Sequence, residues 1–303
     1  MILGGIDEAG LGPVLGPYCA GLTLFSSSGE NLYALLADGV SSTPEAGKIA
    51  VGDSKKLYTP AKGIRELEKS VLAFYGLLHG KADNFADFLN NLSHDPWNEI
   101  PWFKGAAELK LPLLAPEEEI QQGTTRIQEV MEANDIRLKH IGLRFIIAAE
   151  FNRGLDRYSN KSTLCQELIG PFMEEALKED DLILTVDRQG GRRFYGDWLL
   201  SLLPGKPLQA LEELAKVSTY RSGNRTIKFL VGADGFALET ALASLFAKYA
   251  RECAMVLFNR YWQEKAPELK KTAGYYKDGM RFVKDLETLG LLRENRDILI
   301  RKK

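Results

Sequence analysis

Three places in the sequence bring acids to the end of an apolar run. Asp7 and Glu8 follow Met1–Ile6, Asp187 follows Leu182-Ile183-Leu184-Thr185-Val186, and Asp234 comes shortly after the run from Thr226 to Val231. A carboxylate buried at a strand end is costly unless it is paired or bound to a cation. Three such ends in one chain therefore call for a common explanation, and a divalent metal supplies it. Mg²⁺ or Mn²⁺ takes hard oxygen ligands at about 2.0 to 2.2 Å, and two such ions about 4 Å apart can stabilise both the attacking and the leaving oxygen of a phosphodiester. Each acid taken singly also fits a plainer role: Asp7-Glu8 opening a turn, Asp187 capping a loop, Asp234 capping the helix that follows. The residues alone leave both open.

The elements that would position these acids follow from periodicity and breakers. Residues 1 to 8 and the apolar stretch Ala20 to Phe25 read as a hairpin-like pair of strands. Between them Gly10, Gly12, Pro13, Gly16 and Pro17 exclude a helix and force a shaped loop. Ile64, Leu67, Val71, Leu72 and Phe74 recur at helical spacing over 60 to 75, with Pro60 suited to the first turn. Residues 82 to 122 are irregular and read as an insertion. Helix is expected near 124 to 152 and again over Leu164 to Lys178, before the strand that ends at Asp187. Residues 188 to 227 read as a second insertion carrying one helix, Pro207 to Ala215. A strand from Thr226 to Val231 then leads to Asp234, and Phe236 to Phe258 is a strong helix whose small residues permit close packing. Two short helices follow, so that 255 to 303 forms a helical extension. The expectation is a single α/β catalytic domain over residues 1 to 303.

The bulk properties limit the setting. The composition is 45% hydrophobic and 26% charged, that of an ordinary globular protein. No apolar run approaches the roughly 18 residues of a membrane span, and the start lacks a secretory pattern, which makes a cytoplasmic protein with no membrane contact the expectation. Cys19, Cys165 and Cys253 form no pair motif and read as small buried hydrophobes. His79, His94 and His140 share no motif and show no metal spacing, so no histidine base is assigned. The net charge of −2 excludes a generic nucleic-acid coat. Phosphate contacts would have to come from local clusters: Lys55-Lys56, Arg188 with Arg192-Arg193, Arg221 to Lys228, Lys270-Lys271 and Arg301-Lys302-Lys303. Each cluster taken alone reads first as a solvated face.

The segment Ile6-Asp7-Glu8-Ala9-Gly10-Leu11-Gly12-Pro13, with Gly16-Pro17 just after it, resembles the DEAGRGP opening of the ribonuclease HII family. Gly52-Asp53-Ser54-Lys55-Lys56-Leu57 matches that family's DSKKL block, and Val186-Asp187 resembles its VDG strand end. Asp234, followed by Ala243-Ser244 and Ala247-Lys248, resembles its GD…AASIxAK segment, and Gly274-Tyr275 its GY. The resemblance implies an RNase H-like mixed sheet flanked by helices, and an endoribonuclease that cuts the RNA strand of RNA/DNA hybrids, or DNA with embedded ribonucleotides, using two Mg²⁺ or Mn²⁺ ions. Carried over by position, Asp7, Glu8, Asp187 and Asp234 are the metal ligands. Gly10, Leu11 and Gly12 approach the nucleic-acid backbone, Lys55 and Lys56 contact phosphate, and Tyr275 packs on the sugar where a 2′-OH distinguishes RNA from DNA. Lys248 and Ser244 share a helix face near the acids, and helix packing explains both as well.

The departures bear on specificity. The loop arginine of that family is Leu11 here, the glycine after the third acid is Arg188, and a serine of its last motif is Glu239, either a fifth ligand or a solvent-facing acid. Two other functions therefore stay beside the hybrid nuclease. One is an RNase H-like nucleic-acid binder with little turnover. The other is a nuclease for a different nucleic acid, with Trp97 and Trp102 as stacking candidates in place of filling the insertion's own small core.

Overall fold

The breakers between Gly10 and Pro17 turn the chain back on itself. Strand β1 (Ile2–Ala9) pairs antiparallel with β2 (Tyr18–Ser26), Asp7 lying opposite Gly21. The computed structural model describes residues 1–59, 61–158 and 160–302. Its other strands are β3 (Val40–Ser41), β4 (Ile49–Ala50), β5 (Arg137–Ile146), β6 (Leu182–Asp187), β7 (Gln209–Glu213), β8 (Val217–Ser222) and β9 (Arg225–Leu230). The helices are α1 (Leu32–Leu35), α2 (Ser54–Leu57), α3 (Arg65–His79), α4 (Phe85–Leu92), α5 (Glu117–Ala133), α6 (Ala148–Tyr158), α7 (Lys161–Ala176), α8 (Gly196–Leu202), α9 (Leu238–Lys265), α10 (Tyr276–Thr288) and α11 (Arg296–Leu299).

Seven strands form one mixed sheet in the order β5-β2-β1-β6-β9-β8-β7. The three central strands, β1, β6 and β9, run parallel, and antiparallel strands close both sides. Alternation sends Ile2, Ile6, Leu182, Leu184 and Val186 into a core shared with Leu168, Ile169 and Met173 of α7. The opposite face carries Leu3, Cys19 and Phe25 against α3, α4 and α9. Burying a leucine or phenylalanine fully stabilises by about 1.5 to 3 kcal/mol, and both faces are filled this way, as a mainly parallel centre requires. The three cysteines are free and buried. No helix among the described residues is long and apolar enough to cross a membrane.

Helix α9 lies against β1 and β2 because glycines leave room for it. A Cβ at Gly5 would stand 2.2 Å from the Glu239 backbone, and one at Gly21 would stand 2.2 Å from the Ala243 carbonyl. Thr23 donates its hydroxyl to the Glu239 carbonyl at 2.7 Å, and Thr240 donates to the Thr185 carbonyl at 3.0 Å, which fixes the helix along the strands.

Several elements differ from the sequence expectation. The helix expected over 124 to 152 ends at Ala133, and Arg137–Ile146 is the edge strand β5. Asn134-Asp135 stops the helix, with Asp135 in the left-handed region at φ 50° that aspartate tolerates. The helix expected over Pro207 to Ala215 is instead strand β7, and the helix of that segment is α8. Leucines three apart imitate a helical stripe, but pairing with β8 outweighs local propensity, with Thr219 donating to Glu212 at 2.8 Å across the strands. Trp102 does not fill a separate small core. It is buried against Phe258, Tyr261 and Trp262 of α9, and the half-buried Trp97 packs on the same core. Pro60 and Lys303 lie outside the described residues; the helix expected over 60 to 75 runs from Arg65 to His79.

Candidate active site

Parallel pairing brings the first and third acids together. Ile6 lies opposite Val186, so Asp7 and Asp187, the next residues on β1 and β6, end side by side at the carboxyl edge of the sheet. Asp234 reaches the same edge from the short turn after β9, where the Ala233 amide donates to Asp187 Oδ1 at 2.9 Å. Glu8, one residue past Asp7, accepts from Gln189 Nε2 at 3.3 Å. All four predicted acids thus lie toward one end of the adjacent strands β1, β6 and β9.

Their electrostatics record this proximity. Burial, and then the charges of Asp187 and Glu8, holds the Asp7 carboxyl well above the usual carboxylate range, despite hydrogen bonds from the Ser244 hydroxyl and the Glu8 amide. Glu8 is pushed up to about 7 by burial and then by Asp187. Asp187 is raised by burial and, beyond that, by Asp234, while the Ala233 amide opposes the shift. Asp234 is raised by burial and then by Asp53. The positive charge acting on both Asp187 and Asp234 is Lys55, exposed on α2. Among the described residues no three His, Cys, Asp or Glu side chains close into a ready metal cage. Asp187 acts on both Asp7 and Glu8, Glu8 also acts on Asp7, and Asp234 acts on Asp187.

The remaining predicted residues divide. Gly10, with φ at +87°, and Gly12 lie in the loop that leaves Asp7 and Glu8. That loop packs on Gly274: the amides of Val14 and Leu15 both donate to the Gly274 carbonyl, at 2.8 and 3.2 Å. Tyr275 therefore stands beside the loop, half exposed, with the Arg251 guanidinium 5.6 Å from its ring centre. Leu11 packs partly against the α7 side of the sheet. Lys56 is exposed next to Lys55. Ser244 is buried at Asp7, whereas Lys248 pairs with Glu252 at 2.7 Å and lies over the Tyr58 ring.

Glu239 does not join the four acids. It is buried, raised to about 7 by burial, and the charge that acts on it is Lys228, across a cavity of about 320 Å³ that they line with Glu30, Asn31 and Phe236. Arg188 also points away: its guanidinium donates to the carbonyls of Leu214 and Ala215 and to the Ser218 hydroxyl. Arg188, Arg225 and Arg301, read in the sequence as parts of solvated clusters, are all buried. Two neighbours of the acids went unassigned in the sequence. Asp53 stands inside a recognisable block, whereas Gln189 carries no sequence signal. The larger cavities, about 520 Å³ between α3 and α5 and about 700 Å³ along α9, contain none of the four acids.

No family model and no curated protein matches this chain. Solved structures do. The ribonuclease HII of Archaeoglobus fulgidus, in a structure of its complex with PCNA, superposes with a TM-score of 0.51 at 15% identity, covering 100% of this chain and 95% of that one. The chain has the ribonuclease HII fold. Ribonuclease H2 of Pyrococcus horikoshii matches with a TM-score of 0.41 at 15% identity, covering 99% of this chain and 92% of that one. RNase H3 of Aquifex aeolicus matches at 0.41 and 13%, covering 99% and 71%. A mixed seven-stranded sheet between helices is the architecture that the ribonuclease HII fold implies.

Proposed function

We propose that this chain is a divalent-metal-dependent endoribonuclease that hydrolyses the RNA strand of RNA/DNA hybrids. The observation that carries the proposal is the placement of Asp7, Glu8, Asp187 and Asp234 at one sheet edge, all four raised by burial, the first three also by other acids of the set and Asp234 by Asp53. The donor set fits hard cations of the Mg²⁺ or Mn²⁺ kind, since it offers only carboxylate oxygens and carries more negative charge than Lys55 can offset. When bound, such ions would neutralise the acids and polarise a phosphoryl oxygen as Lewis acids. Ser244 and the Ala233 amide orient Asp7 and Asp187 from behind. Lys55 and Lys56 offer exposed ammonium groups to backbone phosphate, and Tyr275 offers a flat ring to the sugar beside the glycine loop. On this reading residues 82–122, 188–227 and 255–303 elaborate a single catalytic domain.

Purified protein with Mg²⁺ or Mn²⁺ is expected to cut a labelled RNA/DNA hybrid and to leave duplex RNA and duplex DNA intact, with EDTA abolishing cleavage. A single ribonucleotide embedded in DNA tests the consequence of Leu11: without a loop guanidinium, preference for that junction over a continuous hybrid is expected to be weak. A folded protein that leaves the hybrid uncut under both metals would overturn the proposal, and a gel shift that persists in EDTA would then favour a binder.

The separation of Glu239 from the acids gives a second expected result. Glu239→Gln should keep hybrid cleavage within about threefold of the parent, because it removes no charge that acts on Asp7 or Asp187. A metal affinity weakened in proportion to lost activity would return Glu239 to the ligand set.

A further inference from the structure

Two arginines lie buried beneath the glycine loop, at 1% and 2% exposure for Arg251 and Arg301. Arg301 donates through Nη2 to the carbonyls of both Gly10 and Pro13. Its own amide donates to the Val14 carbonyl at 2.9 Å, and Leu15 forms a bridge with Ile300, so residues 300 and 301 run against the loop like a short strand. From the other side Asn152 fixes that strand: it donates to the Ile300 carbonyl at 2.7 Å and accepts from the Lys302 amide at 2.7 Å. The Arg301 guanidinium lies 4.9 Å from the Phe151 ring centre. Arg251 donates through Nη2 to the carbonyl of Leu15 at 3.2 Å and to that of Ala273 at 2.9 Å. One arginine therefore grips the loop at two points, and the other ties the loop to the segment that carries Tyr275.

Packing alone does not account for this arrangement. Nε and Nη1 of both side chains are buried without hydrogen-bond partners, the Arg251 charge acts against that of Arg301, and the one carboxylate near Arg251 Nη1, Glu252, lies 3.8 Å away. A core filled for stability alone would place apolar side chains there. What each guanidinium adds is one nitrogen, Nη2, whose two N–H groups are fixed in the guanidinium plane and serve two carbonyls at once; a methionine has no donor, and a lysine carries its ammonium on a flexible stem without that fixed plane.

We infer that Arg251 and Arg301 are positioning residues that hold the glycine loop and Tyr275 as one rigid substrate-facing unit. Their side chains are buried, so they act through the loop carbonyls and contact no substrate themselves. Charge lost from the loop surface at Leu11 is thus not replaced by these arginines, which contribute geometry. The inference rests on the nuclease reading above, because it takes the loop and Tyr275 to be the parts that meet nucleic acid.

The test compares the parent with Arg301→Lys, Arg301→Met and Arg251→Lys. The measurements are steady-state cleavage of a labelled hybrid and amide hydrogen exchange on the metal-free protein. In Arg301→Lys, KM is expected to rise about tenfold with kcat within about threefold, the scale of losing one charge-assisted contact that orders a binding surface. Exchange should quicken in residues 10 to 16 and stay unchanged in β1 and β6. Arg251→Lys should quicken exchange in 273 to 275 as well, which a defect confined to the loop would not do. A parent that neither binds nor cuts hybrid sinks the nuclease reading and the inference with it. An active parent whose Arg301→Lys and Arg301→Met variants match it in KM and in loop exchange sinks the inference alone. So does a kcat loss at unchanged KM, or faster exchange throughout the chain.

Discussion

Asp7→Asn is expected to abolish hybrid cleavage, by about three orders of magnitude or more, and at the same time to raise the stability of the metal-free protein at neutral pH. The two effects have one cause. Asparagine keeps an oxygen to accept from the Glu8 amide, which meets Asp7 Oδ1 at 2.6 Å, but it removes a charge that burial, Asp187 and Glu8 all oppose. All four acids titrate above their ordinary values in the folded chain, so at intermediate pH the folded state holds protons that the unfolded state has released. Stability from this cluster is therefore fully present at acid pH. It declines as pH rises from the ordinary carboxylate range towards about 7, where Glu8 titrates in the folded protein. In EDTA at pH 8, Asp7→Asn should melt higher by about 2 °C, on the order of 1 kcal/mol for a chain of this size. At pH 5 the difference should shrink, and Mn²⁺ should stabilise the parent more than the variant. Calorimetry with and without metal at both pH values reads all of this. A variant that cuts hybrid at the parental rate, or melts lower in EDTA at pH 8, would show that Asp7 is not a strained ligand.

The second large effect lies away from the acids. Glu68 of α3 is fully buried and accepts four hydrogen bonds: from the amides of Leu113, Leu114 and Ala115 at 2.6 to 2.7 Å, and from the Tyr249 hydroxyl at 2.7 Å. It pins the segment before α5 to α3 and α9 at once. Glu68→Ala would leave three amides, that of Ala115 buried and those of Leu113 and Leu114 partly so, and the buried Tyr249 hydroxyl without an acceptor. Each orphaned group costs about 1 to 3 kcal/mol, and neighbouring losses do not simply add, so about 4 kcal/mol or more is expected. Glu68→Gln, which keeps one acceptor oxygen and sets an NH₂ against backbone donors, should lose about half as much. Urea unfolding of the three proteins measures the series. A loss below about 1 kcal/mol for the alanine variant would mean that water takes over the carboxylate's role.

These two residues also show how far the sequence could be read. Asp7 and Glu8 stand in a contiguous motif at a strand end, Asp187 ends an apolar run, and Asp234 follows another, so period and position bring out the acids, while their reading as one set comes from the family resemblance. Glu68 is one charge on a helical stripe in the sequence, and its partners lie 45 to 47 and 181 positions away. Arg188 looks like a loss at a glycine position until Leu214, Ala215 and Ser218 appear around it. Strands β5 and β7 escaped for a related reason. Both border the sheet and each owes its extended form to a neighbour strand, while its own residues pass for helix. Glu239 could not be sorted between ligand and surface because neither description fits: it is buried, opposite Lys228.

The bond between Arg301 and the Gly10 carbonyl spans 291 positions of sequence. Closing so long a loop carries an entropic cost, although that cost grows only slowly with length, so the contact draws its stability from the packing of the whole sheet that lies between its two ends. A substitution that loosens that packing, even one far from the loop, is therefore expected to free the loop as well.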